Sequence, residues 1–235
     1  MPTATEGELL AVLARGAGLA PTARAALLAR AGGGADVERL PLGERDLLIL
    51  RLRETLLGRA IVAQDACPDC GDMMEFSLDT DALARTAQGE PDIVRLDGFE
   101  VRVRALTGAD VVAAEASADP RAALLDSAVV GAVQDGDSVP PDALPARVQK
   151  AVEARAAATD PLAEISLDLT CAQCGAQWRS LLDPGEFVWQ ELQEWGRELL
   201  STVHVLARSY GWTESDVLAL PPARRRAYVK LALDG

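Results

Sequence analysis

Apolar residues recur along this 235-residue chain with two different periods, and the changes of period divide it into elements. Leu9, Leu10, Val12 and Leu13 follow Thr5-x-x-Glu8, a capping box, and predict a first helix. An alanine-rich run over residues 21–31, stopped by Gly32-Gly33-Gly34, predicts a second. Over residues 42–58, Leu47, Leu48, Ile49, Leu50, Leu52, Leu56 and Leu57 crowd one helix. Glu44, Arg45, Asp46, Arg51, Arg53 and Glu54 are expected on its outside. A helix this apolar needs a core or a partner chain to cover it.

The period then shortens. Residues 59–66 and 73–78 read as strands on either side of Cys67–Gly71. Phe99, Val101 and Val103 alternate with Glu100, Arg102 and Arg104. With the preceding apolar run at 93–96 and Asp97-Gly98 between them, they predict a hairpin closed by a type I′ turn. Residues 107–116 predict a capped helix. Asp119-Pro120 opens another, with Leu124, Leu125, Ala128 and Val129 as its apolar positions. Residues 134–141 read as a loop, and 145–158 as a helix that Asp160-Pro161 ends. Ile165, Leu167 and Leu169 alternate as a strand into a second cysteine pair, and 177–182 leave it.

Beyond Asp183-Pro184 lies the most periodic stretch. Val188, Leu192, Trp195, Leu199, Val203, Leu206 and Tyr210 are spaced 4, 3, 4, 4, 3 and 4. That stripe predicts a helix of about six turns, ended by Gly211. Thr213-x-x-Asp216 caps a short helix, and Pro221-Pro222 opens a last one carrying Arg224, Arg225, Arg226 and Tyr228.

The fold class expected is α+β and mostly helical, around a small zinc-ribbon-like β core. Residues 1–40 are read as an N-terminal helical appendage. Residues 41–235 are read as one domain, with knuckle segments at 59–79 and 165–183, an insertion at 80–164 and C-terminal helices at 184–235.

The four cysteines make two copies of Cys-x-x-Cys-Gly, at Cys67, Cys70, Gly71 and at Cys171, Cys174, Gly175. One offset relates Cys67 to Cys171 and Asp79 to Asp183, so the chain leaves a small site and returns to close it. Four thiolates suit one tetrahedral zinc ion, and a glycine after each pair permits the sharp turn that aims both sulfurs at it. Disulfides, reduced thiols without metal and a thioredoxin-like redox pair are the other readings. The first residues show no basic segment with an apolar core, so no secretory signal is read and a cytoplasmic location is expected; this disfavours disulfides. A redox motif places a single pair at a helix start rather than two on strand turns.

Half the chain is apolar (49%), which argues against general disorder, and aromatics are only 4%. The net charge of −13 disfavours non-specific nucleic-acid binding, which a zinc ribbon would otherwise suggest. No apolar run is long enough to span a membrane. The single histidine, His204, has no histidine partner, and Gly32–Gly34 lack the Lys-Ser/Thr of a phosphate loop. No catalytic constellation emerges, and no enzyme is expected. Trp189, Trp195, Tyr210 and Trp212 cluster in the last third and, with Arg224, Arg225, Arg226 and Tyr228, are the candidate partner-binding residues. A zinc-ribbon nucleic-acid-binding or regulatory adaptor protein, with Arg102 and Arg104 joining the arginine triplet in a basic face, is the alternative.

Several features then occur in one order: Leu42-Gly-Glu-Arg-Asp46, Cys67-Pro-Asp-Cys70-Gly71, Thr159-Asp-Pro-Leu-Ala-Glu-Ile165, Cys171–Gly175, Phe187-Val-Trp189, Trp195, Glu198 through His204, Tyr210-Gly-Trp212 and Arg224-Arg-Arg-Ala-Tyr228. Over about residues 40–232 this resembles the T-even-type phage baseplate hub assembly chaperone family, encoded in phage tail modules and bacterial contractile injection systems. The resemblance implies a non-enzymatic role in forming or joining the baseplate hub or spike, with hub and spike proteins as partners. It leaves oligomeric state, and retention in the finished particle, open.

Overall fold

In the computed structural model, residues 4–85 and 92–234 are described; residues 1–3 of the expected appendage and 86–91 of the expected insertion lie outside them. Helices α1 (Glu6–Gly16), α2 (Pro21–Ala31) and α3 (Leu42–Leu57) come first. The hairpin β1 (Ala60–Ala66) and β2 (Met73–Asp79) follows, then a short α4 (Thr80–Arg85). The middle of the chain contributes β3 (Ile93–Leu96), β4 (Phe99–Val103), α5 (Gly108–Glu115), α6 (Pro120–Ala128), β5 (Val129–Gln134), β6 (Asp137–Ser138) and α7 (Ala146–Thr159). A second hairpin, β7 (Ile165–Thr170) and β8 (Gln177–Leu182), leads into α8 (Pro184–Tyr210), α9 (Glu214–Leu218) and α10 (Pro222–Asp234). The class is α+β with mostly helix, as expected, and its sheets are small and antiparallel.

Two cores hold it. The larger joins α1, α2, α3 and the first half of α8: Leu9, Val12, Leu28, Ile49, Leu50, Val188, Trp189 and Leu192 are buried together, with Ile61 of β1 and Ile165 of β7 at its edge. Helices α1 and α2, read as an appendage, therefore pack into this core. An alanine-rich α2 has little bulk of its own, and that lets it lie close to α3 and α8 and bury Ala25, Leu28 and Ala29. Gly16 of α1 makes the approach closer still: a Cβ there would stand 2.2 Å from the Trp189 ring. The smaller core packs α6 and α7 on the four-stranded meander β3-β4-β5-β6 through Val94, Val101, Leu125, Val148 and Val152. The predicted turn at Asp97-Gly98 has the positive φ pair, 51° and 82°, that a type I′ turn demands.

Two expectations are corrected in this middle segment. Val129 is not the end of a helix but the first residue of β5, and residues 134–141 are not all loop, because Asp135-Gly136 makes a second turn of the same kind into β6. The sheet supplies what the local pattern could not show: β4 is already present as a partner, and β5 pairs along it from Phe99↔Gln134 to Val103↔Val129. The segment docks on the larger core by backbone bonds, Leu42 N–H to Leu106 C=O at 3.0 Å and Ala109 N–H to Glu38 C=O at 3.0 Å. The α5 start is fixed by Asp110, which caps Thr107 and takes a two-pronged ion pair from Arg104. The Arg104 hydrogen bond holds the Asp110 carboxyl down at about 2.

Two charges expected outside α3 are buried. Arg53 is 5% exposed and Asp46 4%. Arg53 uses four of its five guanidinium N–H groups: Nε and Nη2 donate to Glu191 of α8 at 2.9 and 2.8 Å, and Nη1 donates to the carbonyls of Gly58 and Ala60 at 2.6 and 2.7 Å. It thus ties α3, α8 and the root of β1 at one point. Asp46 accepts from Arg45 at 2.7 Å, yet burial pushes its pKa up to about 6, with Asp183 and Asp160 adding to the rise. A carboxyl raised in the folded state favours folding while protonated, so this contribution is intact below pH 4 and lost as the pH climbs through 6. Asp46→Asn is expected to gain on the wild type by up to about 3 kcal/mol as the pH goes from 4 to 7.5. Urea unfolding of both proteins across that range checks it; any acid sensitivity of the rest of the molecule is common to the two and cancels in the difference.

Candidate metal centre and partner surface

Each cysteine pair sits on the turn of a hairpin, and the two turns are built alike. In the first, Cys67 N–H donates to Asp72 C=O at 2.9 Å and Gly71 N–H to Cys67 C=O at 2.9 Å. In the second, Cys171 N–H donates to Ala176 C=O at 2.8 Å and Gly175 N–H to Cys171 C=O at 3.0 Å. Gly71 and Gly175 hold φ at 74° and 75°, the left-handed conformation that a Cβ would strain. The local sequence sets both turns; only the tertiary fold brings them face to face.

All four Sγ atoms lie within 4.8 Å of one another. Across the site, Cys67 meets Cys174 at 3.6 Å and Cys70 meets Cys171 at 3.7 Å. Four sulfurs about 2.3 Å from a central zinc would stand about 3.8 Å apart, whereas a disulfide needs about 2.05 Å. The cysteines are free thiols, arranged first-to-second across the hairpins, with Cys67 and Cys171 buried and Cys70 and Cys174 exposed. The N–H of Cys174, and then that of Gln173, draw the Cys171 pKa down to about 7. At Cys70 the Asp72 backbone lowers the pKa, but contact with Cys174, partial desolvation and the other two sulfurs outweigh it and push the thiol up to about 12. Thiolates this close cannot all ionise without a counter-charge. The donor set therefore fits a divalent ion of zinc's softness.

Among the described residues, side-chain hydrogen bonds between the hairpins gather on Asp65 of β1, which Ser180 of β8 also reaches. Trp178 Nε1–H of β8 donates to Asp65 of β1 at 3.0 Å. The alternating positions of the ribbon, Phe76, Leu167, Leu169 and Trp178 among them, are only half-buried.

The predicted partner residues divide into two groups. Trp189 is 1% exposed and belongs to the core, under the Arg24 guanidinium at 5.2 Å. Arg225 is 5% exposed and is spent on a two-pronged ion pair with Glu6, tying α10 to the start of α1. Trp195 is half-buried against the core. Tyr210, Trp212 and Tyr228 form one aromatic cluster, Tyr210 stacked on Trp212 at 4.9 Å and Trp212 edge-on to Tyr228 at 5.0 Å. Arg224 covers Tyr228 at 5.9 Å, and Arg224 and Arg226 are exposed. Sequence reasoning missed Leu231 and Leu233, which are 64% and 71% exposed on α10. The signal was there: leucines two apart on a helix point about 200° apart, so no single buried face takes both. His204 is exposed on α8.

A helical protein whose small ribbons meet at a four-thiol clasp is thereby defined. Over residues 23–189 the chain matches the model of the T4 bacteriophage base plate protein family, and it belongs to that family. The matched span contains both knuckles; it begins inside α2, earlier than the resemblance read from motifs, and stops within α8. No curated protein and no solved structure matches the chain. Among the described residues no helix is long and apolar enough to cross a membrane.

Proposed function

We propose that this chain is a non-enzymatic assembly factor or structural component of a phage-like contractile tail, acting where the hub or spike joins the baseplate. The observation that carries the reading is the family match over a span that holds both halves of the clasp. Cys67, Cys70, Cys171 and Cys174 hold one structural zinc ion. The ion staples the two hairpins, which have too little core of their own to stay together. It thereby fixes where α8 leaves the ribbon. The partner-facing groups are those the fold leaves accessible: Tyr210, Arg224 and Arg226 are exposed, with Trp195, Trp212 and Tyr228 half-buried at the margin. The work is done in the cytoplasm, and the protein either leaves or stays in the finished particle. The nucleic-acid reading loses support because Arg104 and Arg225, two members of its basic face, are bonded to Asp110 and Glu6.

Deleting the gene in the producing cell is expected to yield tails or sheaths without complete baseplates by electron microscopy. Complementation by the intact chain restores them, and the tagged protein co-purifies with hub and spike components. Complete, infective or bactericidal particles from the deletion strain would overturn the assignment.

A further inference from the structure

Among the described residues, several exposed arginines on the body of this acidic protein stand beside a carboxylate, though Arg15, Arg39, Arg51, Arg102 and Arg208 do not. Arg59, Arg95, Arg121, Arg147, Arg179 and Arg197 each lie within 3.6 Å of a carboxylate. Helix α10 stands out by the density of its cations. It carries Arg224, Arg225, Arg226 and Lys230 against one carboxylate, Asp234, in a chain of net charge −13. Arg225 is turned inward to Glu6, while Arg224, Arg226 and Lys230 are exposed with no ion pair among the described residues. Tyr228, Val229 and Ala232 share the inward side with Arg225. On a helix, Arg226 and Lys230 then make one outward row a turn apart, with Leu233 on one side and Leu231 on the other. Both leucines are more than 60% exposed.

We propose that the outer face of α10 docks an acidic amphipathic helix of a different protein. Its carboxylates would meet Arg226 and Lys230, and an apolar position beside them would cover Leu233. The 13 residues of α10 offer about 20 Å of helix, room for about three turns of such a partner. Charge selects among occupants. Two copies of this chain each bring a net −13 and repel as bodies, and an anionic lipid surface repels the body in the same way. A partner whose negative charge is confined to one helical strip takes the local attraction without that penalty. The inference rests on the baseplate reading and gives the partner its chemistry.

The test uses the full-length protein in the particle-producing cell. Ala227→p-benzoylphenylalanine places a photo-cross-linker on the exposed face, and the adduct is sequenced by mass spectrometry. The expected adduct is a peptide of another protein rich in Asp and Glu, with apolar residues at helical spacing. Adding R226E/K230E is expected to cut its yield about tenfold or more, because like charges then oppose across the contact. R121E, a charge reversal elsewhere, leaves the yield unchanged, and circular dichroism shows that α10 of the reversed protein still folds. The proposal is overturned by an adduct with a second copy, with lipid or with a non-acidic segment, by no adduct, or by a yield that R226E/K230E does not lower. If assembly still needs this chain under those outcomes, only the surface is wrong. If the deletion strain makes complete baseplates, the function itself falls.

Discussion

Serine in place of any one of Cys67, Cys70, Cys171 or Cys174 is expected to abolish stable zinc binding and cost most of the net stability of the ribbon. Structural zinc contributes on the order of 10 kcal/mol to small sites, while whole domains are stable by only about 5–15 kcal/mol. The half-buried ribbon has little to offset such a loss. The four variants are expected to behave alike, because the sulfurs occupy equivalent corners of one cluster. Elemental analysis of the purified wild type is expected to give one zinc per chain, and chelation under mild denaturant to lower the melting temperature sharply. A well-folded wild type with four titratable thiols and no metal would remove the clasp. Reductase activity lost in Cys67→Ser but kept in Cys171→Ser would replace it with redox chemistry.

The second large effect is expected at Arg53. Arg53→Met removes a buried cation that serves four acceptors, and leaves Glu191 and the carbonyls of Gly58 and Ala60 without their partner. Hydrogen bonds to a charged group are worth about 1.5–3 kcal/mol each, and losing four whose acceptors water can partly reach is expected to cost about 3–5 kcal/mol in all. For a chain of this size that is a fall of about 6–20 °C in melting temperature. Glu191 is itself partly accessible, so Glu191→Gln, which keeps an acceptor for the guanidinium, is expected to cost much less. A melting series of the two variants at unchanged metal content checks the order; equal losses would show that shape at this point matters more than charge.

Both predictions concern the same mechanical question, how the ribbon is held relative to α8. One tie was visible in the chain and the other was not. The cysteine pairs were legible because a Cys-x-x-Cys-Gly turn is a residue type and a spacing written locally, and that pattern suits a metal. Arg53 was placed outside α3 because a charged residue in a helix is ordinarily solvated. Nothing within α3 announces that Glu191, far along the chain, will stand opposite it. Trp189 and Arg225 failed in the converse way. An aromatic or cationic residue near a helical stripe fits a contact surface or a core equally well until the opposing element is known. Here the opposing elements are α1 and α2, the helices read as an appendage.

Strand β5 was missed for a related reason. Its apolar residues continue the run of α6 without a break, and only the waiting edge of β4 decides in favour of extended backbone. The repeated Asp-Gly turn was the local clue, since Asp135-Gly136 carries the same positive φ pair as Asp97-Gly98.

By itself the sequence determined the elements with strong local chemistry: the capped helices, the type I′ hairpin, the periodic α8 with its left-handed Gly211 cap, and two glycine-closed knuckles. Each depends on hydrogen bonds and dihedrals within a few residues. Tertiary structure decided which charges are buried, which aromatic residues are core, and that the knuckles meet with their sulfurs in contact. Those outcomes depend on pairs such as Arg53 with Glu191 and Cys67 with Cys174, more than a hundred residues apart in sequence. No local pattern encodes the approach of two such residues, because the free energy that joins them is released only when the helices between them have packed.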